Sequence, residues 1–254
     1  MNARALLSTG PNSEETRDSI CGGLVQVIQR REGYRFNLDP VLLAHFAVQA
    51  GVLKPPIIDL GTGSGVIPLI LTQKFGLDVT GLEVQQPLFE LAERNVHLNR
   101  CEGRIALVLG DWRRVKEKFS AASFSNALAN PPYRAFAQGR VSPDAEKAVA
   151  RHEMLGALSD FCVAASYLLV ERGSIFIVYP ALRTTELLAC LTKHGLEPKR
   201  IRFVHPRGTA PAKLLLLQAV KSGRGGLVVD PPLLLHKGTA AAYTDEVEGM
   251  LGGV

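Results

Sequence analysis

The sequence predicts an α/β fold, in which helices flank one mostly parallel sheet. Short apolar runs alternate along the chain with longer stretches whose apolar residues recur at helical spacing. A glycine-rich turn, Gly61 to Gly65, directly follows the apolar run at residues 57–60. A strand, a glycine turn and a helix in succession are typical of the beginning of a nucleotide-binding α/β fold.

Seven strands are expected, and the last should run antiparallel because it pairs in a hairpin with the strand before it. Their expected positions are residues 57–60, 79–83, 105–109, 125–129, 174–179, 199–204 and 214–220. Helices are expected at residues 41–49, 66–75, 86–99, 151–169 and 184–194. Asp39 should cap the first of these helices, with Pro40 as its first residue.

The N-terminal residues are expected to form an arm and a hairpin outside the sheet. Residues 1–18 are polar and without periodicity, which indicates a flexible arm. The runs at residues 24–29 and 34–36 flank Arg31-Glu32-Gly33. We therefore predict a small hairpin with Gly33 in its turn.

Composition limits the classes of protein to consider. The chain has 254 residues, of which 46% are hydrophobic, and this favours one large globular domain. Its apolar stretches are too short to span a bilayer, and residues 1–17 lack an apolar signal core, so we expect a cytoplasmic protein. The four cysteines are widely spaced, which favours free thiols and no metal site.

The residues Asn130-Pro131-Pro132-Tyr133 follow the fourth strand. Proline has no N–H to donate, so the strand must end at Asn130 and leave its side chain at the carboxyl edge of the sheet. The Asn130 amide oxygen and the Pro131 carbonyl could accept hydrogen bonds from an amino group on a planar acceptor. Tyr133 could stack on the same acceptor. A plain β-turn is the alternative interpretation.

The turn Gly61-Thr62-Gly63-Ser64-Gly65 indicates close approach of a ligand to the backbone at a helix N-terminus. Its glycine spacing is tighter than that of dinucleotide-binding proteins, and no Lys-Ser or Lys-Thr follows it as in a P-loop. Glu83 ends the second strand, where an acidic residue can accept hydrogen bonds from ribose hydroxyls. Asp111 ends the third strand, within reach of an adenine amino group, and a helix cap is its alternative role.

These residues resemble the class I S-adenosylmethionine-dependent methyltransferases that modify planar amino groups. The resemblance rests on the segment Asp59–Gly65, on Glu83 and Asp111, and on the Asn-Pro-Pro-Tyr sequence at residues 130–133. It implies a Rossmann-like fold, with a seven-stranded, mostly parallel sheet whose last strand is antiparallel. It also implies S-adenosylmethionine as the cofactor and no metal.

Further segments are similar to one branch, the bacterial tRNA adenine-N6 methyltransferases that act in the anticodon loop of a valine tRNA. They are residues 22–24, 33–36, 39–44, 151–153 and 231–233, so the likeness extends over most of the chain from about Gly22. The resemblance implies four parts of the chain: an arm at 1–18, a hairpin and pocket-covering helix at 19–50, a methyltransferase core at 51–222 and a packed tail at 223–254.

The resemblance assigns expected roles to individual residues. Gly61, Gly63 and Gly65 would approach the methionine part of the cofactor, Glu83 its ribose and Asp111 its adenine. The remaining residues expected to bind the cofactor are Asp39, Asp59, Trp112 and Asn130. The acceptor would be held by Asn130, Pro131, Pro132 and Tyr133.

The expected activity is methyl transfer to the N6 amine of an adenine in RNA, foremost tRNA, to give N6-methyladenosine. The net charge is +5, and nine basic residues concentrate towards the C-terminus: Lys193, Lys199, Arg200, Arg202, Arg207, Lys213, Lys221, Arg224 and Lys237. The alternatives are a glutamine-N5 methyltransferase of a release factor or other protein, an rRNA guanine-N2 methyltransferase, or a non-catalytic binding module. We expect a monomer or weak homodimer that does not bind membranes.

Overall fold

The computed structural model describes residues 10–32, 37–131, 158–238 and 241–252. The strands are β1 (Glu15–Ile20), β2 (Val25–Arg30), β3 (Ile57–Leu60), β4 (Val79–Glu83), β5 (Ile105–Leu109), β6 (Phe124–Ala129), β7 (Leu169–Pro180), β8 (Leu196–His205), β9 (Leu214–Lys221), β10 (Val228–Val229) and β11 (Leu233–Leu234). The helices are α1 (Asp39–Gln49), α2 (Val66–Phe75), α3 (Gln86–Leu98), α4 (described over 158–168), α5 (Thr184–Lys193) and α6 (Asp245–Leu251).

The main sheet confirms the predicted α/β class. Its strands lie in the order β10-β8-β9-β7-β6-β3-β4-β5, and β11 also pairs with β8. Only β9 is antiparallel to its neighbours in this sheet, as expected for the last of the seven predicted strands. The two-residue strands β10 and β11 were not predicted, so the sheet has nine strands among the described residues where the sequence suggested seven.

Helices cover both faces of this sheet. Successive residues of a strand point to opposite faces, so Leu128 packs with α1 and α2 while Ala127 and Ala129 pack with α4 and α5. The same alternation continues in β7. This two-sided burial explains why the middle of β7 is apolar throughout, and why β3 and β6 are apolar apart from Asp59, Ser125 and Asn126.

The register brings the functional ends of the strands together. Asp59 of β3 lies beside Gly81 of β4 and Leu128 of β6. All three strands are parallel, so the residues that follow them emerge at one edge of the sheet. These are the glycine turn after β3, Glu83 at the end of β4 and Asn130 after β6.

The N-terminal hairpin in the described residues is formed by a pair of strands that was not predicted. β2 pairs antiparallel with β1, and the turn between them is a short 3₁₀ segment at Cys21–Gly23. Residues 15–18, which we expected in a flexible arm, therefore belong to a strand, while residues 33–36 lie outside the described residues. The sequence of β1 is mostly polar, so it did not indicate a strand. Its one buried acidic residue, Glu15, forms an ion pair with Arg94, which is distant in the sequence.

The start of α1 also differs from the prediction. Asp39 is the first helical residue and not the cap, which is Leu38. The Asn37 side-chain oxygen accepts a hydrogen bond from the Asp39 N–H at 2.9 Å. The side chain of Asn37 therefore makes the hydrogen bond at the helix start that was expected of Asp39. Pro40 lies in the first turn as the second helical residue, one position later than predicted.

The C-terminal segment packs against the N-terminal helices. Val247 and Met250 of α6 are buried in the same apolar cluster as α1 and α2. The Lys74 ammonium donates to the carbonyls of Gly249, Met250 and Gly252, so it caps the end of α6. None of the helices in the described ranges is long and apolar enough to cross a membrane.

Candidate cofactor and acceptor site

The loop between β3 and α2 adopts a backbone conformation that only glycine takes readily. Gly61, Gly63 and Gly65 have φ angles of +79°, +58° and +84°, in the left-handed region. The Gly61 and Thr62 amides both donate to the carbonyl of Leu82 in β4, at 2.9 and 3.0 Å. The loop is thereby bent across the ends of β3 and β4, and α2 begins directly after Gly65.

Glu83 faces this loop. One of its carboxylate oxygens accepts the Gly63 N–H at 2.8 Å, and the other accepts the Gln85 N–H at 2.8 Å. The side chain is buried, and burial raises the pKa of Glu83 although these hydrogen bonds oppose the rise. Glu83 therefore connects the end of β4 to the glycine loop and to the start of α3.

Asp59 is a second buried acid at the loop. Both of its carboxylate oxygens, and the hydroxyl of Thr62, have no hydrogen-bond partner among the described residues. Desolvation raises the pKa of Asp59 to about 7, and the Glu83 carboxylate adds to the rise. A buried acid without a hydrogen-bond partner is costly, and such a group directly before a glycine loop is a candidate for ligand binding.

Trp112 lies against the other side of the loop. A Cβ atom placed on Gly61 would come within 3.1 Å of its Cζ3 atom, and its ring packs edge-on to Phe161 with centroids 6.2 Å apart. The predicted site residue is therefore an indole wedged between the loop and α4. Its approach to Gly61 explains why this position needs glycine.

Asp111 caps the 3₁₀ helix Trp112–Glu117, which was the alternative to an adenine contact. Its carboxylate accepts the Arg113 N–H at 2.9 Å and pairs with the Arg113 guanidinium. That guanidinium is the main reason why the pKa of Asp111 is lowered. A hydrogen bond from Asp111 to an adenine stays a prediction, and it would have to coexist with the capping role.

Asn130 and Pro131 follow β6, as the two prolines predicted. Asn130 lines a cleft whose other lining residues are Pro40, Gly61, Thr62, Ser64, Val66 and Ile67. Pro131 is buried, whereas Pro132 and Tyr133 lie outside the described residues. The glycine loop and the start of the Asn-Pro turn therefore border one cleft.

Asp39 lies near the same cleft, since its neighbour Pro40 forms part of the wall. It is buried, and its carboxylate accepts a hydrogen bond from the Asn37 side-chain amide at 2.9 Å. Sequence reasoning did not single out Thr62, Ser64 or Asn95, a buried asparagine of α3 that donates to the Ser64 carbonyl. The signal for Thr62 and Ser64 was their place inside the glycine turn. No group of His, Cys, Asp and Glu side chains suited to a metal ion occurs in the described part of the chain.

The parallel sheet, with the left-handed glycine loop, the acid at the end of β4 and the Asn-Pro turn at the end of β6 along one edge, has the fold of a class I methyltransferase. Solved structures agree with the fold. A predicted O-methyltransferase from Agrobacterium tumefaciens aligns with a TM-score of 0.67 and 23% identity, over 85% of this chain and 98% of its own. Geranyl diphosphate C-methyltransferase from Streptomyces coelicolor, in complex with S-adenosyl-L-homocysteine, aligns with a TM-score of 0.50 and 14% identity, over 70% and 77%.

The chain belongs to the methyltransferase small domain family, whose model matches residues 37–191. A relative in Tolumonas auensis, described as a tRNA1(Val) (adenine(37)-N6)-methyltransferase, is 29% identical over 198 residues. The alignment covers 76% of this chain and 79% of the relative. The predicted methyltransferase family is thus confirmed.

Proposed function

We propose that this protein is an S-adenosylmethionine-dependent methyltransferase that methylates the N6 amine of an adenine in tRNA. The relative from Tolumonas auensis suggests adenine 37 of a valine tRNA as the first position to examine. The observation on which the proposal rests is that Asn130 borders the same cleft as the glycine loop. The side chain that would bind the acceptor amine and the loop that would bind the cofactor therefore lie next to each other.

The residues around the loop fit the cofactor. S-adenosylmethionine, when bound, supplies the methyl group from a positively charged sulfonium. Asp59 offers carboxylate oxygens that have no hydrogen-bond partner in the described structure, which suits a positively charged ligand. Glu83 would accept hydrogen bonds from the ribose, and Asp111 and Trp112 would contact the adenine. Gly61, Gly63 and Gly65 would let the backbone approach the methionine part closely.

Asn130 and Pro131 would hold the acceptor amine. The lone pair of an exocyclic amine is delocalised into the ring, so the amine attacks more readily when acceptors draw its two N–H groups out of the ring plane. The Asn130 side-chain oxygen and the Pro131 carbonyl are such acceptors, and they would also stabilise the positive charge that develops on the nitrogen. The stacking role of Tyr133 and the place of Pro132 stay predictions.

Positioning supplies most of the catalysis in this proposal. A neutral amine that attacks a cation disperses charge, so little new charge has to be stabilised. Holding two reactants in line can contribute on the order of 7–11 kcal/mol to lowering the barrier. An adenine in an anticodon loop is unpaired, so turning it into the cleft costs less than extruding a base from a duplex.

The test is a methyl-transfer assay with candidate acceptors supplied side by side. Purified protein would be incubated with labelled S-adenosylmethionine and with tRNA, rRNA or release factor from cells that lack this gene. Nuclease or protease digestion followed by mass spectrometry would identify the methylated unit. We expect label in N6-methyladenosine from tRNA, at one position of the anticodon loop.

Other outcomes would contradict the proposal. Label on a glutamine of the release factor would make the protein a glutamine-N5 methyltransferase, and label on a guanine would make it an rRNA enzyme. A protein that binds the cofactor but methylates none of these acceptors would not have the proposed activity. Binding to tRNA should weaken steeply with salt, because phosphate contacts release counterions.

A further inference from the structure

Two asparagines of the α3 segment, Asn95 and Asn99, take the place of a neighbouring strand along one edge of β2. The Asn95 side-chain oxygen accepts the Ile28 N–H at 2.7 Å, and its amide nitrogen donates to the Ile28 carbonyl at 3.0 Å. One helical turn later, Asn99 accepts the Gln26 N–H at 2.9 Å and donates to the Gln26 carbonyl at 2.7 Å. The spacing of four residues on a helix matches alternate residues of the strand.

Asn95 makes one bond that Asn99 does not. Its amide nitrogen also donates to the Ser64 carbonyl at 2.9 Å, inside the glycine loop. The second hydrogen bond that Asn99 donates goes to the Asn95 carbonyl at 2.7 Å, so it joins Asn99 only to the last turn of α3. Asn95 is completely buried, and its three hydrogen bonds use both amide protons and the oxygen.

We infer that Asn95 is a positioning residue, which holds the glycine loop in its cofactor-binding shape by fixing the Ser64 peptide to α3 and β2. The inference rests on the proposed use of this loop for S-adenosylmethionine. Three left-handed glycines make the loop intrinsically loose in the unfolded chain, so its conformation must be imposed from outside. Asn95 imposes it at Ser64, between Gly63 and Gly65.

Neighbouring contacts make α3 a rigid base for this role. Arg94 forms a partly buried ion pair with Glu15 of β1 at 2.7 Å, so the hairpin is attached to α3 along both of its strands. A Cβ placed on Gly65 would come within 3.4 Å of the Ala92 Cβ, one turn before Asn95 along the helix. The glycine loop therefore contacts α3 through packing at Gly65 and through a hydrogen bond at Ser64.

The test compares Asn95→Asp with Asn99→Asp. Each substitution replaces an amide that donates to two carbonyls with a carboxyl group that cannot donate to both, because a carboxylate donates no hydrogen bond and a protonated carboxyl donates one. Each also loses a bond to a β2 carbonyl, so the two variants damage the hairpin in the same way. Only Asn95→Asp breaks the bond to the loop. The measurements are thermal unfolding, hydrogen exchange of the amides of residues 61–65 without ligand, and S-adenosylmethionine affinity by calorimetry.

We expect both variants to lower the melting temperature, but only Asn95→Asp to accelerate hydrogen exchange in the loop. We also expect Asn95→Asp to weaken cofactor affinity on the order of tenfold, or about 1.4 kcal/mol, and Asn99→Asp to leave it close to the wild-type value. In turnover, Asn95→Asp should raise the KM for S-adenosylmethionine more than it lowers kcat.

Equal effects of the two variants on loop exchange and on affinity would overturn the inference, because Asn95 would then act only on general stability. If Asn95→Asp does not fold, Asn95→Ser and Asn99→Ser replace the pair, since serine keeps one donor without adding a charge. If the wild type does not bind S-adenosylmethionine, the proposed function fails. Loop exchange without ligand still decides whether Asn95 fixes the loop.

Discussion

Replacing Gly61 by alanine should both destabilise the protein and block its cofactor site. Gly61 has a φ angle of +79°, which an L-residue adopts only at a cost. The added Cβ would also lie 3.1 Å from the Trp112 Cζ3 atom, closer than ordinary packing allows. Trp112 is held between the loop and Phe161, so either the indole or the loop must move.

The free-energy cost of a left-handed backbone conformation can be measured separately from the contact with Trp112, because Gly76→Ala provides a matched control. Gly76 ends α2 with a φ angle of +67°, and a Cβ placed there meets nothing within 4 Å. Left-handed alanine costs about 1–2 kcal/mol. For a protein of this size that is a fall in melting temperature of about 2–8 °C. Gly61→Ala should lower the stability of the folded protein by this amount, and by a further amount because its Cβ collides with Trp112.

Thermal unfolding and calorimetric titration with S-adenosylmethionine would test the two substitutions together. We expect Gly76→Ala to bind the cofactor like the wild type and Gly61→Ala to bind it at least about tenfold more weakly, a difference of about 1.4 kcal/mol. Wild-type affinity in Gly61→Ala would refute the reasoning. It would mean that neither Trp112 nor this part of the loop approaches the cofactor.

Two other substitutions test the acceptor residue and a buried histidine. Asn130→Ala should abolish methyl transfer and leave cofactor affinity nearly unchanged; a comparable loss of affinity would show that Asn130 holds the cofactor and not the amine. His45 has a pKa lowered to about 4, because burial disfavours its charged form and Lys74 repels it. The unfolded chain takes up this proton near pH 6.5, so the folded protein should lose stability as the pH falls from about 6.5 to about 4. The His45→Phe variant should lose less stability between pH 7 and pH 5, as urea unfolding at the two pH values would measure. The same pH dependence in the variant and the wild type would contradict this assignment.

The central elements could be predicted from the sequence because local signals agree there. β3, α2 and β5 have the predicted bounds, since each is an apolar run that ends at glycine, proline or a polar residue. Asn130 was placed at a strand end because proline cannot donate to a ladder. These arguments need no information from elsewhere in the chain.

The missed elements depend on distant partners. The sequence of β1 alone indicates a polar arm. It forms a strand because Glu15 pairs with Arg94, far along the chain, and because β2 supplies the backbone hydrogen bonds. The two residues of β10 form a strand only because β8 presents an edge at Arg200 and Ile201. Asn95 gave a weak signal, since asparagine within a helix is usually neutral or unfavourable and its partners are the backbones of β2 and the loop.

Several costly features of the structure meet at and beside the glycine loop. It contains three left-handed residues, the hydroxyl of Thr62 without a partner in the described structure, and Asp59 buried beside Glu83. Elsewhere in the sheet the buried residues are mostly apolar and close-packed. Proteins can retain such costs where a ligand compensates them, so these features support the proposed cofactor site at this loop.

The charge at Asp59 leads to a final prediction. Its pKa of about 7 means that the ligand-free protein holds this carboxyl about half protonated at pH 7. A bound cation would favour the carboxylate, so binding should release up to about half a proton at pH 7 and almost none at pH 9. Calorimetry in phosphate and Tris, whose ionisation enthalpies differ, measures this release, and Asp59→Asn subtracts any proton exchange by the ligand. The same buffer dependence in wild type and Asp59→Asn would show that Asp59 does not respond to the cofactor.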